Sequence, residues 1–255
     1  MHPYIHLGFV TIPSYGTMIA FAILICGPLG CWRARRAGLH WEDALAIMAC
    51  AFGCAIAGAA LMYMLVTYSI QELVTILLTL RLPEGGTTGL VFLGGLLAAI
   101  PGAFLGCRIT RVRLTDMVSP LLPVIPLGHA LGRVGCFLAG CCYGKPTTLP
   151  IGVVYQHSYT GVPTGIPLLP VQLMEAGLLL GIFVLLMTLS SRRLPPLRLM
   201  GTYAASYAVC RFLLELLRYD SIRGIYFGLS TSQWISIALL IAGLVLLLRP
   251  DRRPA

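Results

Sequence analysis

Seven stretches of the chain are almost purely apolar, at roughly 14–32, 42–68, 88–107, 117–142, 170–190, 199–218 and 231–248. Each approaches the ~20 residues that a helix needs to cross ~30 Å of hydrocarbon. None alternates polar and apolar residues over about ten positions, which argues against a transmembrane β-barrel. Helices are the other way to satisfy backbone N–H and C=O groups in lipid. Met1 to Pro13 is itself mostly apolar and supplies no basic segment ahead of the first stretch, so the start does not resemble a signal peptide. The pattern predicts an all-α membrane protein with seven transmembrane helices, forming one integral domain over residues 1–255.

Two of the links are long. Residues 69–87 contain Pro83 and the Glu84-Gly85-Gly86 turn. Residues 143–169 contain Pro146, Pro150, Pro163 and Pro167, with a β-prone run from Ile151 to Tyr155. Both read as structured caps or arms on one face of the membrane.

Composition agrees with the pattern. Of 255 residues, 58% are hydrophobic and 11% charged, against about 25% charged in an average soluble domain. These values exclude a soluble enzyme, a disordered chain and an ordinary nucleic-acid binder. The net charge of +9 therefore points first to cytoplasmic loops. Arg33, Arg35, Arg36, Arg108, Arg111, Arg113, Arg192, Arg193, Arg198, Arg249, Arg252 and Arg253 fall in the alternate links and the C-terminal tail. Only Arg81, Lys145 and Arg223 fall in the others. The split predicts an outside N-terminus and a cytoplasmic C-terminus, as an odd span count requires.

Charge inside the spans is costly, about 2.5–3.5 kcal/mol per residue at the bilayer centre on insertion scales. The fourth stretch carries His129 and Arg133, the fifth Glu175, and the sixth Arg211, Glu215 and Arg218. Arg211 and Glu215 are helical neighbours and can pair. Three arginines against two glutamates still leave positive charge over, which suits an anion, and the planar guanidinium fork suits phosphate. At about 100° per residue, Tyr203, Tyr207, Arg211, Glu215 and Arg218 form one stripe, and His129, Arg133 and Cys136 share a face. Gly132, Gly135 and Gly140 allow close approach of a ligand or simply of another helix.

Of the nine cysteines, Cys26, Cys31, Cys50, Cys54, Cys107 and Cys210 sit in apolar runs as small hydrophobes. Cys136, Cys141 and Cys142 cluster beside Arg133. Cys136 and Cys141 stand about 140° apart on a regular helix, which suits neither a disulfide nor a shared metal. A helix break at Gly140 would let them converge. No second cluster completes a four-ligand zinc site, and no metal or other cofactor is expected.

These residues carry a resemblance to the bacterial prolipoprotein diacylglyceryl transferases. Tyr15-Gly16 resembles the family's first-span Tyr-Gly, and Phe92-Leu93-Gly94-Gly95 its F-H-G-G. Gly132 to Gly144 (GRVGCFLAGCCYG) is similar to the signature G-R-x-G-N-F-x-N-x-E-x-x-G. Pro170, Gln172, Leu173 and Glu175 match P-x-Q-L-x-E. Arg211 to Arg218 (RFLLELLR) resembles R-F-x-x-E-x-x-R, and Ser232-Gln233-Trp234-Ile235-Ser236 resembles G-Q-x-x-S.

The resemblance implies seven spans in the bacterial plasma membrane and transfer of diacylglycerol from phosphatidylglycerol to the lipobox cysteine of a prolipoprotein. It implies catalytic or lipid-binding roles for Tyr15, Arg133, Arg211 and Arg218, with Gly144, Gln172, Glu175 and Glu215 at matching positions. Leu93 stands at the family's catalytic His, Cys136 and Ala139 at its two Asn positions, and Cys141 at its Glu. The missing acid/base chemistry then falls to His129, one turn from Arg133, or to Cys136 or Cys141. A non-catalytic lipid-binding relative and a membrane thiol-redox or metal protein are the alternatives.

Overall fold

The computed structural model describes residues 4–7, 10–79, 81, 89–156, 161–219 and 225–249. Pro83, the Glu84-Gly85-Gly86 turn, Arg223, Arg252 and Arg253 lie outside the described residues. The helices are α1 (Ser14–Arg36), α2 (Trp41–Thr67), α3 (Ile70–Thr79), α4 (Phe92–Thr110), α5 (Leu114–Leu121), α6 (Val124–Ala139), α7 (Val171–Ser191), α8 (Pro196–Glu215) and α9 (Thr231–Leu248). Three small antiparallel pairs join them: β1 (Tyr4–Leu7) with β2 (Val10–Pro13), β3 (Val153–Val154) with β4 (Pro167–Leu168), and β5 (Ile225–Tyr226) with β6 (Leu229–Ser230).

Among the described residues, five helices, α1, α2, α4, α7 and α9, are long and apolar enough to cross a membrane, and the bent pair α5–α6 brings the number to six if it counts as one span. The apolar stretch 117–142 is thus not one straight rod. It turns by 51° between Leu121 and Val124, where Pro120, Pro123 and Pro126 remove backbone donors and crowd the preceding turn. α8 is equally long, but Tyr203, Ser206, Tyr207, Arg211 and Glu215 lower its hydropathy. Apolar side chains cover the helix flanks, with Leu24 70%, Val66 73% and Leu248 82% exposed, a surface that only lipid covers without penalty.

The chain divides into two compact units, Met1–Arg33 with Val118–Ala255, and Ala34–Met117. In the second unit α2 and α4 run antiparallel with their backbones nearly touching. A Cβ on Gly102 would lie 2.7 Å from the Cys50 carbonyl oxygen, and one on Gly106 2.7 Å from Ile47 Cα. Lipid gives little drive for helices to associate, so such close packing is the main attraction available. The pair Gly94-Gly95 of the family-like motif belongs to the same seam, where Gly94 meets Gly58 and Met62. A Gly102→Val substitution is expected to cost about 1–3 kcal/mol through overpacking. Denaturant unfolding in micelles checks this.

In the first unit α6 packs on α7, α7 on α8 and α8 on α9. α8 and α9 meet at Gly201 and Gly243, where a Cβ on Gly201 would come 2.7 Å from the Gly243 carbonyl. Arg33, at the end of α1, is spent on structure. Its Nε donates to the Pro120 carbonyl at 2.7 Å, and its Nη2 to the Ser119 carbonyl at 2.9 Å and Ser190 Oγ at 2.8 Å. Pro123, four residues after Ser119, has no N–H to give the Ser119 carbonyl, and Arg33 and the Ser190 hydroxyl donate to it instead.

Candidate functional site

Three helices of the first unit converge on one carboxylate. Glu175, in the second turn of α7, is 2% exposed. Its Oε1 accepts from Arg133 Nη2 of α6 at 3.0 Å and from the Tyr207 hydroxyl of α8 at 3.4 Å. His129 Nε2 stands 3.8 Å from the same oxygen. The His129 and Tyr207 rings lie 5.4 Å apart, and Tyr203 stacks on Tyr207. The two predicted polar faces therefore do meet, with Glu175 between them.

One turn along α8, Arg211 Nη2 pairs with Glu215 Oε2 at 2.7 Å and donates to Ser232 Oγ of α9 at 3.0 Å. Ser230 N-caps α9 and accepts from the Gln233 N–H, while Gln233 Oε1 accepts from the Ser230 N–H. The Ser230 hydroxyl proton is left to donate, and it goes to Glu215 Oε1 at 2.9 Å. The predicted Arg211–Glu215 pair is thus present and tied to the start of α9. Arg211 also lies within electrostatic reach of Glu175, His129 and Arg218. The five charges Arg133, Arg211, Arg218, Glu175 and Glu215 sum to +1. Among the described residues, Arg133 Nε and Arg211 Nη1 are buried without a hydrogen-bond partner, so both guanidinium forks keep an N–H to offer an anion.

The loop after α6 is folded against this cluster. Gly140 caps α6 in the left-handed region (φ 78°), and Cys142 is left-handed as well (φ 63°). The chain doubles back, and the Cys136, Cys141 and Cys142 sulfurs gather within 4.8 Å of one another. Gln172 holds the turn from α7, donating from Nε2 to the Cys141 carbonyl at 2.6 Å and to the Tyr155 hydroxyl at 3.2 Å. Tyr155 is fully buried in the 143–169 segment. Burial pushes its phenol above the usual range, with the Gln172 hydrogen bond pulling it partly back.

Gly144 and Arg218 pair through a backbone bridge. This seam brings the end of α8 beside the loop, and Arg218 lies against the Cys142 thiol. A Cβ on Gly144 would come 2.5 Å from Val171 Cγ2 and 2.8 Å from the Leu169 carbonyl. Gly144→Ala is expected to destabilise the protein by about 1–3 kcal/mol. It should also loosen the loop toward proteolysis, which limited digestion reads directly. Tyr15, 41% exposed at the start of α1, packs on Gly135, where a Cβ would come 3.1 Å from its ring.

The match to known proteins decides the family. Residues 3–249 match the family profile of prolipoprotein diacylglyceryl transferase. The chain belongs to that family. It is 32% identical to the phosphatidylglycerol–prolipoprotein diacylglyceryl transferase of Clostridium tetani, over 91% of each chain. It is 35% identical to that of Legionella pneumophila strain Paris, over 93% of this chain and 92% of the relative. With that of Bordetella avium it shares 31% identity over 98% and 94%.

Tyr15, Arg133, Gly144, Gln172, Glu175, Arg211, Glu215 and Arg218, the residues that the sequence matched to motifs of the diacylglyceryl transferases, all lie in one compact unit. Leu93 opens α4 in the other unit, 40% exposed, and brings no acid/base group. Sequence reasoning missed Tyr155 and the hydrogen bond from Ser230 to Glu215. The Ser230-x-x-Gln233 spacing was a signal for the cap, but nothing local to Tyr155 announced its partner.

Proposed function

We propose that this protein transfers the diacylglyceryl group of phosphatidylglycerol to the cysteine thiol of a prolipoprotein. Arg133 and Arg211 on two helices, tied to the buried Glu175 and Glu215 and each keeping a spare N–H, carry the reading. In it, Arg133, Arg211 and Arg218 hold one lipid phosphate, which leaves as part of glycerol phosphate when the thiolate attacks the diacylglyceryl carbon. Charge-assisted hydrogen bonds to the growing phosphate charge favour that bond breaking. Tyr15 lines the approach, and Gln172 and Gly144 fix the loop against which the headgroup rests. His129 or one of the loop cysteines takes the proton-handling role that Leu93 lacks.

The test is transfer in vesicles. Purified protein, phosphatidylglycerol and a lipobox peptide should give a peptide heavier by one diacylglyceryl group, joined as a thioether. A peptide that keeps its mass while the protein still binds the lipid would leave a non-catalytic phospholipid-binding relative.

The same reading sets the topology: seven spans, with α5–α6 and α8 completing the count, in the bacterial plasma membrane. The N-terminus is outside, the C-terminus cytoplasmic, and residues 69–87 and 143–169 cap the outer face. The excess of arginine in alternate links supports this. α3 has no buried residue, and Leu77 and Leu78 are 75% and 79% exposed, as suits a short helix lying in the interface. Reporter fusions after Arg113 and after Lys145 should report opposite compartments. The same compartment from both overturns the span count.

A further inference from the structure

We propose that Cys136, Cys141 and Cys142 form a binding site for one zinc ion, whose fourth position receives the acceptor thiol. The proposal rests on the transferase reading only for its second half. The sequence spacing spoke against a metal because a regular helix separates Cys136 from Cys141. The left-handed residues Gly140 and Cys142 reverse the chain and bring all three sulfurs within 4.8 Å of one another. Three thiolates ~2.3 Å from one tetrahedral zinc stand about 3.8 Å apart, so side-chain rotation of under about 1 Å closes the site.

The turn is costly and held in place. A left-handed non-glycine residue costs on the order of 1–3 kcal/mol. Gln172 fixes the Cys141 carbonyl, and the Gly144–Arg218 bridge fixes the segment just beyond. Soft thiolate ligands select zinc over magnesium or calcium. Zinc with three thiolates carries a net charge of −1, and Arg218 against Cys142 and Arg133 near Cys136 and Cys142 offset it. Cys136 is the most buried of the three, while Cys141 and Cys142 are partly exposed, which leaves the fourth position reachable from their side. Catalytic zinc sites have this form, three protein ligands and one open place.

The chemistry fits an acceptor that is a thiol. A thiol that binds zinc is deprotonated, and its proton leaves to water. The zinc-bound sulfur then forms a C–S bond to the diacylglyceryl carbon as the C–O bond to phosphate breaks. The electron pair goes to the phosphate oxygen beside Arg133, Arg211 and Arg218. No oxidant or external base is required, and this supplies what Leu93 at the family His position does not.

Full-length protein in micelles, reduced and stripped with a chelator, is titrated with Co2+ as a spectroscopic probe and with Zn2+ in competition. One equivalent of Co2+ should give thiolate-to-metal charge-transfer absorption, displaced by Zn2+. Cys136→Ser, Cys141→Ser and Cys142→Ser should each weaken binding by more than about 100-fold, beyond the range typical of an outer-shell change, while Cys210→Ser leaves it intact. A lipobox peptide should shift the Co2+ bands, and its Cys→Ser version should not. Absence of the charge-transfer band from the unmutated protein overturns the site, whether or not transfer occurs. A band that the cysteine peptide does not shift, or transfer unchanged by metal removal, overturns the role of the open position. A peptide-induced shift with no transfer overturns the transferase reading and leaves the metal site standing.

Discussion

Replacing Glu175 with Gln is expected to destabilise the protein by about 3–5 kcal/mol, the usual effect of removing one member of a buried ion pair. Gln keeps the shape but not the charge. Arg133, with 13% of its side chain exposed, is then left without its carboxylate. The Tyr207 hydroxyl keeps an oxygen to donate to, so the loss is mainly electrostatic. An E175Q/R133M double variant, which buries no lone charge, should recover much of the stability. Denaturant unfolding of the four proteins forms a double-mutant cycle, and additive losses would show that the pair does not couple.

The second large effect belongs to Arg211. Arg211→Gln removes the fork shared by Glu215, Ser232 and, in the proposed reaction, the lipid phosphate. One charge-assisted hydrogen bond is worth about 1.5–3 kcal/mol, so kcat/KM for phosphatidylglycerol should fall on the order of 10- to 150-fold. A Lys at this position should restore only part of the activity, since an ammonium cannot fork between Glu215 and an anion. Equal turnover by the parent and both variants would reduce Arg211 to a structural role.

Much of this site was legible in the sequence because charge in an apolar span has few uses. Glu175, Arg133 and the Arg211–Glu215 pair were each marked by their cost in lipid and by helical spacing. The apolar stretches also matched the long helices to within a few residues. Three things were hidden. The bend at Pro123 lay inside a stretch whose hydropathy is continuous. The meeting of the three sulfurs needed, besides the break at Gly140 that the sequence offered, a left-handed Cys142, a residue type that gives little hint of that conformation. Tyr155 found Gln172 across a loop of seventeen residues, a contact that no periodicity encodes.

Arg33 has a consequence for how the protein is made. Its partners Ser119 and Ser190 lie 86 and 157 residues further along the chain. At the ~5–20 residues per second of synthesis, the last of them emerges roughly 8–30 s after Arg33 itself. For the first roughly 4–17 s of that interval, before Ser119 and Pro120 emerge, the guanidinium has only water and lipid headgroups for company. The clasp therefore closes in two stages, first onto the carbonyls of the α5–α6 bend and last onto Ser190, when α7 arrives.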